Sequence, residues 1–432
     1  MLGLVALAAG EWLHRSEPGE KPQIAQGAYI PGVLTGVGIL ALFGAVYGSY
    51  ELYGFLGSVT AFGLMGAVSA AGLLLGLRQG PAISGLGLAG SLITPLLVST
   101  NEPSYPGLYA YLAIISAGAF GLARYRAWNW LSLATAGGAL LWGAFGLYLH
   151  GPDELIVWLG YLAAVFALVV LAHVVNLLPF APMEQTDHQA RLVPPLTYGG
   201  VAVLLLGLLH VDETSLRALC MCLGFGLVGL GFGWAKTGLA PIACAAGALG
   251  LVASLARGAV LAGGIFNWPP GDFYIATPFE GAWLWHVGLS VGFGLVLIGA
   301  SVSWLKRNAA VTGWPAILWA ISGTLAPVLI MLGLWLLGSR GGVQWEFAAL
   351  FALLVALYAL GTEWLLRSEA NDAPEGLLVT DWPVNLVALA APVAAVFALV
   401  TGLYGLWLTL ALADKRDPFR SAPRSSQRMT AP

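Results

Sequence analysis

About thirteen apolar stretches, each close to 20 residues long, follow one another along this chain of 432 residues. A helix needs about 20 apolar residues to cross a bilayer core of about 30 Å. Only helices or closed barrels satisfy their backbone polar groups in lipid, and these stretches are too long and uniformly apolar for barrel strands. They lie roughly over 28–50, 55–77, 82–99, 107–123, 127–149, 153–178, 193–211, 215–235, 239–263, 277–303, 309–337, 343–366 and 383–412. We therefore predict an all-α polytopic integral membrane helix bundle with a partial N-terminal helix.

Charged side chains are scarce along the chain. Asp, Glu, Lys and Arg make up 9% of the residues and hydrophobic residues 59%, whereas a soluble domain carries roughly 25% charge. So little charge cannot keep this many apolar residues in solution, which excludes a soluble enzyme and a disordered chain. The net charge is −3, and the sequence has no basic stripe outside the C-terminal tail. We therefore expect membrane lipid, and no nucleic acid, as a partner.

The two ends of the chain differ from its apolar middle. The apolar stretch over residues 1–13 is too short to cross the core at a rise of 1.5 Å per residue. It is predicted to be the end of a longer helix whose first part would lie upstream of Met1. We divide the chain into a partial helix and cytoplasmic linker over 1–27, a transmembrane helix bundle over 28–412 and a polar, basic C-terminal tail over 413–432.

The short loops alternate in charge, and Lys and Arg mark cytoplasmic loops. If the linker over 14–27 is cytoplasmic, the residues assigned to the cytoplasmic side are Arg15, Lys21, Arg78, Arg124, Arg126, Arg191, Lys236, Lys306, Arg307 and Arg367. The outer side receives Glu51, Glu102, Asp153, Glu154, Asp212, Glu213, Asp272, Glu280 and Glu346, with Arg217, Arg257 and Arg340. The basic tail conflicts with this assignment. Either one stretch after Lys306 does not span, or the tail departs from the rule.

Glycine numbers 58 residues, about twice its average usage. In membranes, small residues at helical spacing let two helix backbones approach closely. Such pairs are Gly32/Gly36, Gly44/Gly48, Gly72/Gly76 and Gly229/Gly233. We interpret them as helix-packing seams rather than as a ligand path.

Three local strings combine turns, aromatic residues and basic residues in a distinctive order. They are Gly10-Glu11-Trp12-Leu13 before a basic linker; Leu77-Arg78-Gln79 followed by Gly85 to Leu97 with its Thr94-Pro95-Leu96 turn; and Tyr109 to Gly118 followed by Arg124-Tyr125-Arg126-Ala127-Trp128-Asn129-Trp130-Leu131. Together they resemble the DUF2339 family of bacterial polytopic membrane proteins, although Ser91 replaces a family glycine. The resemblance implies a multi-pass protein of the bacterial inner (plasma) membrane. It implies no particular reaction or site.

Ionisable side chains inside apolar spans are costly, which makes them the first candidates for a functional site. Arg257 lies about six residues inside the outer end of the 239–263 stretch, and Glu280 begins the next stretch on the same side. Trp283 and His286 follow within two helical turns. These four residues are predicted to bind a substrate, with an anionic lipid or glycan headgroup as the candidate ligand. The alternative is interfacial anchoring by the aromatic rings, with an Arg257 side chain that snorkels outward.

Metal and cofactor sites are not expected from this sequence. Cys220, Cys222 and Cys244 lie in apolar stretches, and residues two apart on a helix point to roughly opposite sides, so Cys220 and Cys222 would not chelate one metal together. No Walker motif, Gly-x-Ser-x-Gly elbow or His-Glu-x-x-His motif occurs in the sequence. The pattern therefore predicts neither a metal nor a cofactor.

Three classes of function stay open at this point. No Asp or Glu lies near the middle of an apolar stretch, where proton-coupled carriers usually place a carboxylate. We nevertheless place transport or flipping of a small or lipid-linked envelope substrate first, because many glycine-rich spans can pack around a pathway. A membrane-embedded enzyme acting at the outer face is the alternative, and so is a non-catalytic assembly subunit.

Cysteine accessibility labelling tests the topology. We expect single cysteines at positions 102, 153 and 272 to react with an impermeant thiol reagent from outside. Cysteines at 78, 126, 236 and 306 should react only once the cytoplasmic side is opened. Labelling of positions 102 and 272 from opposite sides would refute this topology.

Overall fold

The computed structural model describes residues 2–15, 30–98, 104–149, 154–174, 188–211, 216–261, 281–309, 311, 313–339, 345–369 and 382–414. Within these ranges the chain forms fourteen α-helices and no strand. They are α1 (Leu2–Arg15), α2 (Ile30–Tyr47), α3 (Ser58–Gln79), α4 (Pro81–Leu97), α5 (Tyr105–Arg126), α6 (Asn129–Leu149), α7 (Leu155–His173), α8 (His188–Val211), α9 (Leu216–Ala235), α10 (Ala240–Leu261), α11 (Gly281–Arg307), α12 (Trp314–Ser339), α13 (Trp345–Glu369) and α14 (Trp382–Asp414). A π-helical turn, Gly48–Leu52, follows α2, and a 3₁₀ turn, Thr237–Leu239, precedes α10.

The all-α polytopic membrane bundle is confirmed. Twelve of the described helices are long and apolar enough to cross a membrane, and each corresponds to one predicted stretch. The stretch predicted over 82–99 forms α4, which has only 17 residues and is therefore roughly 26 Å long. Gly80 and Pro81 fix its start, and Pro95 interrupts its backbone hydrogen bonds near the end. All three helices after Lys306 are of spanning length.

The helices form two compact units, Met1–Leu204 and Leu205–Pro432. The sequence predicted a bundle over 28–412 and indicated no division at this point, because α8 is one uninterrupted helix across the boundary. The predicted boundary at residue 27 lies outside the described residues, and α14 continues to Asp414.

In the first unit, α1 packs closely along α2 through small residues. A Cβ built on Gly3 would lie 3.1 Å from the Gly38 carbonyl oxygen, and one built on Gly10 would lie 2.4 Å from Oγ1 of Thr35. The predicted seam residues Gly32 and Gly44 meet no described atom within 4 Å. That part of the prediction is wrong, because α1 selects the face of α2 that carries Thr35 and Gly38.

Glu11 joins α1 to the end of α3. Its carboxylate accepts hydrogen bonds from Nε of Arg15 and Nη1 of Arg78, both at 2.8 Å, and from Nε2 of Gln79 at 3.3 Å. These bonds, with Arg15 contributing most, hold the pKa of Glu11 below its ordinary value. The short helix α1 is therefore held to α2 by its small-residue face and to α3 by its charged end.

The contact between α3 and α4 is the predicted glycine seam. A Cβ on Gly87 would lie 2.5 Å from the backbone nitrogen of Leu73 and 2.8 Å from the carbonyl carbon of Gly72. One on Gly76 would overlap Ser84, whose hydroxyl donates to the Leu73 carbonyl at 3.2 Å. The pair Gly72/Gly76 therefore does what the spacing predicted.

Some of the basic residues that the sequence assigns to the cytoplasmic side make contacts at helix ends within each unit. In the first unit Arg78 shares Glu11 with Arg15, and Arg126 donates to the Leu77 carbonyl. In the second unit Nζ of Lys306 lies 3.6 Å from the ring centroid of Trp364. These contacts involve residues that the positive-inside rule assigns to one side, and the membrane topology stays a prediction.

Hydroxyl groups join the helices of the second unit. The Ser322 hydroxyl on α12 donates to the Ala243 carbonyl on α10 at 3.1 Å, and the Ser301 hydroxyl on α11 donates to the Trp319 carbonyl at 2.7 Å. The Tyr358 hydroxyl on α13 lies 3.0 Å from the Gly323 carbonyl. These bonds fix α10 and α11 on α12, and so position the candidate site.

The glycine seam yields a stability prediction. Gly87→Ala should destabilise the protein by about 1–3 kcal/mol, because its methyl group would overlap backbone atoms that cannot move aside. Gly63→Ala is the control: Gly63 is an exposed α3 position with no described atom within 4 Å. It should leave the melting temperature in detergent unchanged or raised. Equal melting temperatures for the two variants would contradict the seam.

Candidate functional site

Small residues on α10 face larger side chains on α11 in the second unit. A Cβ on Gly250 would lie 2.0 Å from Cε1 of Phe293, and one on Gly258 would lie 3.2 Å from Nε2 of His286. Along this contact the residue numbers rise on α10, from 250 to 258, while they fall on α11, from 293 to 286. The two helices therefore run antiparallel here. Ser254 and Ser290 lie midway between the two contacts, and the register places them opposite each other.

Four polar residues are buried where α10 and α11 meet. The exposed fraction is 2% for Arg257, 1% for Ser254, 0% for His286 and 0% for Ser290. Arg257 lies within electrostatic range of His286. We call these four residues the polar cluster. It lies on otherwise apolar spans, where each polar group is costly unless it is satisfied.

Several hydrogen-bonding atoms of the polar cluster have no partner among the described residues. Neither ring nitrogen of His286, nor the hydroxyl of Ser254 or Ser290, has a hydrogen-bond partner of normal geometry among the described residues. The backbone of Ser254 approaches the imidazole without completing such a bond. Buried polar atoms in native proteins are almost always satisfied. The cluster therefore has the character of a site for a polar ligand or for water.

Three of the four predicted site residues, Arg257, His286 and Trp283, lie close together in the structure. Arg257 on α10 and His286 on α11 lie in the polar cluster, and the rings of Trp283 and His286 meet edge to face with centroids 5.6 Å apart. Trp283 is half-buried, one helical turn before His286 on α11. Leu337 of α12 closes the side near Gly258. Arg257 is buried between helices, unlike a side chain that snorkels outward.

Glu280, the fourth predicted site residue, lies outside the described residues. Its pairing with Arg257 stays a prediction.

The chemistry of the polar cluster suits an anion. A guanidinium group presents several donors in a fixed fork that matches a carboxylate or a phosphate. Hydroxyl groups and an imidazole add donors whose direction can adjust to the ligand. Within the described residues, no group of three His, Cys, Asp or Glu is arranged to hold a metal ion.

Sequence reasoning missed the two serines of the cluster. Ser254 precedes Arg257 by three residues and Ser290 follows His286 by four, so each shares a helix face with its charged or aromatic neighbour. That spacing was the available signal. Sequence reasoning also placed Arg124 in a cytoplasmic loop, whereas it lies at the end of α5, 5% exposed and within electrostatic range of His173 on α7.

Comparison with protein families supports the resemblance noted in the sequence. The family model described as "Predicted membrane protein (DUF2339)" matches residues 1–415. The chain belongs to the DUF2339 family. The match covers both units, so the polar cluster lies within the family region. Comparisons with curated proteins and with solved structures find no match.

The two unmatched serines give a stability prediction. Ser254→Ala and Ser290→Ala should leave the melting temperature in detergent unchanged or raised, because each removes a buried hydroxyl that has no hydrogen-bond partner among the described residues. Ser322→Ala is the matched control and should lower the melting temperature by about 2–4 °C, because it removes a hydrogen bond between helices. A loss in the first two variants equal to that in the control would show that both hydroxyls are already satisfied within the fold.

Proposed function

We propose that this DUF2339 protein transports or flips an anionic substrate, either a small molecule or a lipid-linked envelope component, across the bacterial inner membrane. The polar cluster is the observation that carries the proposal. It combines a cation with two hydroxyls and an imidazole that have no hydrogen-bond partner within the described part of the chain, on spans that are otherwise apolar. Charged and polar groups within spans are retained in membrane proteins mainly for such pathways.

Burial of the cluster favours transport over catalysis at the outer face. An enzyme acting on an envelope substrate at that face needs its reactive side chains open to the substrate. His286 and Ser290 have no exposed surface, and Arg257 is almost completely enclosed. An enclosed binding site between spans is the state expected between two alternately open conformations of a carrier.

The expected substrate carries a phosphate or carboxylate group. Arg257 supplies the charge that would attract it, and the fork of its guanidinium would donate two parallel hydrogen bonds to the oxygens of that group. His286 and the two hydroxyls would then complete the hydrogen bonds of the bound group. Glu280, if it adjoins Arg257, would compete with the ligand for the guanidinium and so favour its release.

Translocation of a labelled lipid tests the proposal. Proteoliposomes that contain the purified protein would be loaded with fluorescent phosphatidylglycerol, and dithionite would then quench the label in the outer leaflet. We expect the wild type to expose inner-leaflet label faster than protein-free vesicles do. Arg257→Ala should slow this rate by about tenfold or more, the effect expected for losing a charged hydrogen bond.

Arg217→Ala is the matched control, because Arg217 is an exposed arginine on α9 in the same unit. Its rate should stay within about twofold of the wild type, since surface charges contribute little. Arg257→Lys should give an intermediate rate because it keeps the charge and loses the fork. Uptake of radiolabelled phosphate serves as the small-anion arm.

Three results would contradict the proposal. One is a wild type that accelerates neither probe. Another is an Arg257→Ala variant that elutes as a folded protein and moves a probe at the wild-type rate. The third is conversion of the lipid to a new species on thin-layer chromatography, which would indicate the membrane enzyme instead.

A further inference from the structure

A second feature of α11 lies on the helix face opposite the polar cluster. There α11 and α13 enclose an open groove of about 880 Å³. Apolar side chains form its walls, among them Ile298 and Val302 on α11 and Leu357 and Leu360 on α13. The two helices stay linked by the contact of Gly361 with Val302, where a Cβ would lie 3.3 Å from Cγ2.

The groove ends at a group of charged and aromatic side chains. Lys306 places its ammonium group 3.6 Å from the ring centroid of Trp364. Glu363 and Arg367 also line this end and form an ion pair with each other. Among the described residues Lys306 forms no salt bridge. The cation Lys306 therefore lies beside Trp364 at the end of the groove, and the carboxylate that lines this end, Glu363, is paired with Arg367.

The length of the groove matches one leaflet. Leu295, the first lining residue on α11, precedes Lys306 by eleven residues, which corresponds to roughly 16 Å of helix. Half of the bilayer core is about 15 Å thick. Tryptophan and lysine are the residues that helices place at the membrane interface. An acyl chain in the groove would thus bring a lipid phosphate to the level of Lys306.

We infer that this groove binds one anionic phospholipid from the leaflet at the basic ends of α11 and α13. One acyl chain lies between the apolar walls, and the phosphate pairs with the Lys306 ammonium beside Trp364. Charge complementarity selects this occupant: a zwitterionic lipid offers the same chains but adds a cation next to Lys306. The inference is independent of the proposed translocation, because it uses other residues on the other face of α11.

Gly299 provides a sharp test because it forms part of the groove floor. It is exposed, and a Cβ there would meet no described atom within 4 Å. Gly299→Leu should therefore occupy the space of the acyl chain without disturbing the fold. Gly288→Leu is the matched control, since Gly288 is exposed on the same helix, is equally open and lies outside the groove.

The experiment titrates detergent-purified protein with palmitoyl-oleoyl phosphatidylglycerol and follows thermal stabilisation, with native mass spectrometry to count bound lipids. Gly299→Leu should weaken binding by at least about tenfold, because it displaces several buried methylene groups. Lys306→Gln should weaken it by about fivefold, the effect expected for one lysine near an anionic lipid. Gly288→Leu and Lys236→Gln, the latter an exposed lysine outside the groove, should bind like the wild type.

Leu360→Trp is a second variant that should fill the groove, because Leu360 is exposed on the opposite wall. It keeps the test decisive if Gly299→Leu fails to fold. Phosphatidylcholine should bind more weakly than phosphatidylglycerol, and glycerol phosphate should not stabilise the protein. Wild-type affinity in a folded Gly299→Leu or Leu360→Trp variant would overturn the inference. Equal binding of the two lipids would also overturn it, because the groove would then hold only unselective annular lipid. Stabilisation by glycerol phosphate alone would show a site for a free anion instead.

Discussion

Close approach of helix backbones at small residues is the interaction on which both units depend. Lipid chains are as apolar as leucine, so burial of apolar surface does not drive helices together in a membrane. Dispersion contacts and hydrogen bonds between helices take over that role, and both require short distances. Gly87 against Leu73 and Gly250 against Phe293 show how much of that approach depends on a missing side chain.

The same close packing explains why the polar cluster is unusual. Where hydroxyl groups cross between helices of the second unit, they find a carbonyl, as Ser301 and Ser322 do. Ser254 and Ser290 have the same chemistry on the neighbouring contact and find no such partner among the described residues. Fully satisfied polar contacts specify a bundle, whereas unsatisfied ones cost stability. Their retention beside Arg257 is what a binding role would explain.

The positions of the spans could be predicted from the sequence, because the bilayer imposes length and apolarity on each helix separately. Which faces meet could not. Gly72 and Gly76 lie in a tight seam, whereas Gly32 and Gly44, each the first of a pair with the same four-residue spacing, meet no described atom within 4 Å. The choice is made by partner helices distant in the sequence. Arg124 shows the same limit, since its burial depends on packing around the end of α5.

The candidate site was partly predictable for the same reason. Arg257 and His286 could be identified individually, because ionisable and aromatic polar groups are rare in apolar spans. Serines are common there, so the spacing of Ser254 from Arg257 and of Ser290 from His286 was a weak signal, and the register of α10 and α11 was needed to bring them together. The lipid groove likewise arises from the spacing of α11 and α13, which no local pattern encodes.

Replacing three members of the polar cluster, Ser254, His286 and Ser290, by apolar side chains is the most direct test of its role. The measurement combines the melting temperature with phosphatidylglycerol translocation for a variant that carries Ser254→Ala, His286→Leu and Ser290→Ala together. If the cluster exists to bind a substrate, this variant should melt at or above the wild-type temperature, because apolar replacements of unmatched buried groups are neutral or stabilising, and translocation should be lost. A melting temperature lower by more than about 4 °C, roughly 1 kcal/mol or more, with translocation retained in the folded fraction, would show that the cluster holds the helices together and binds nothing.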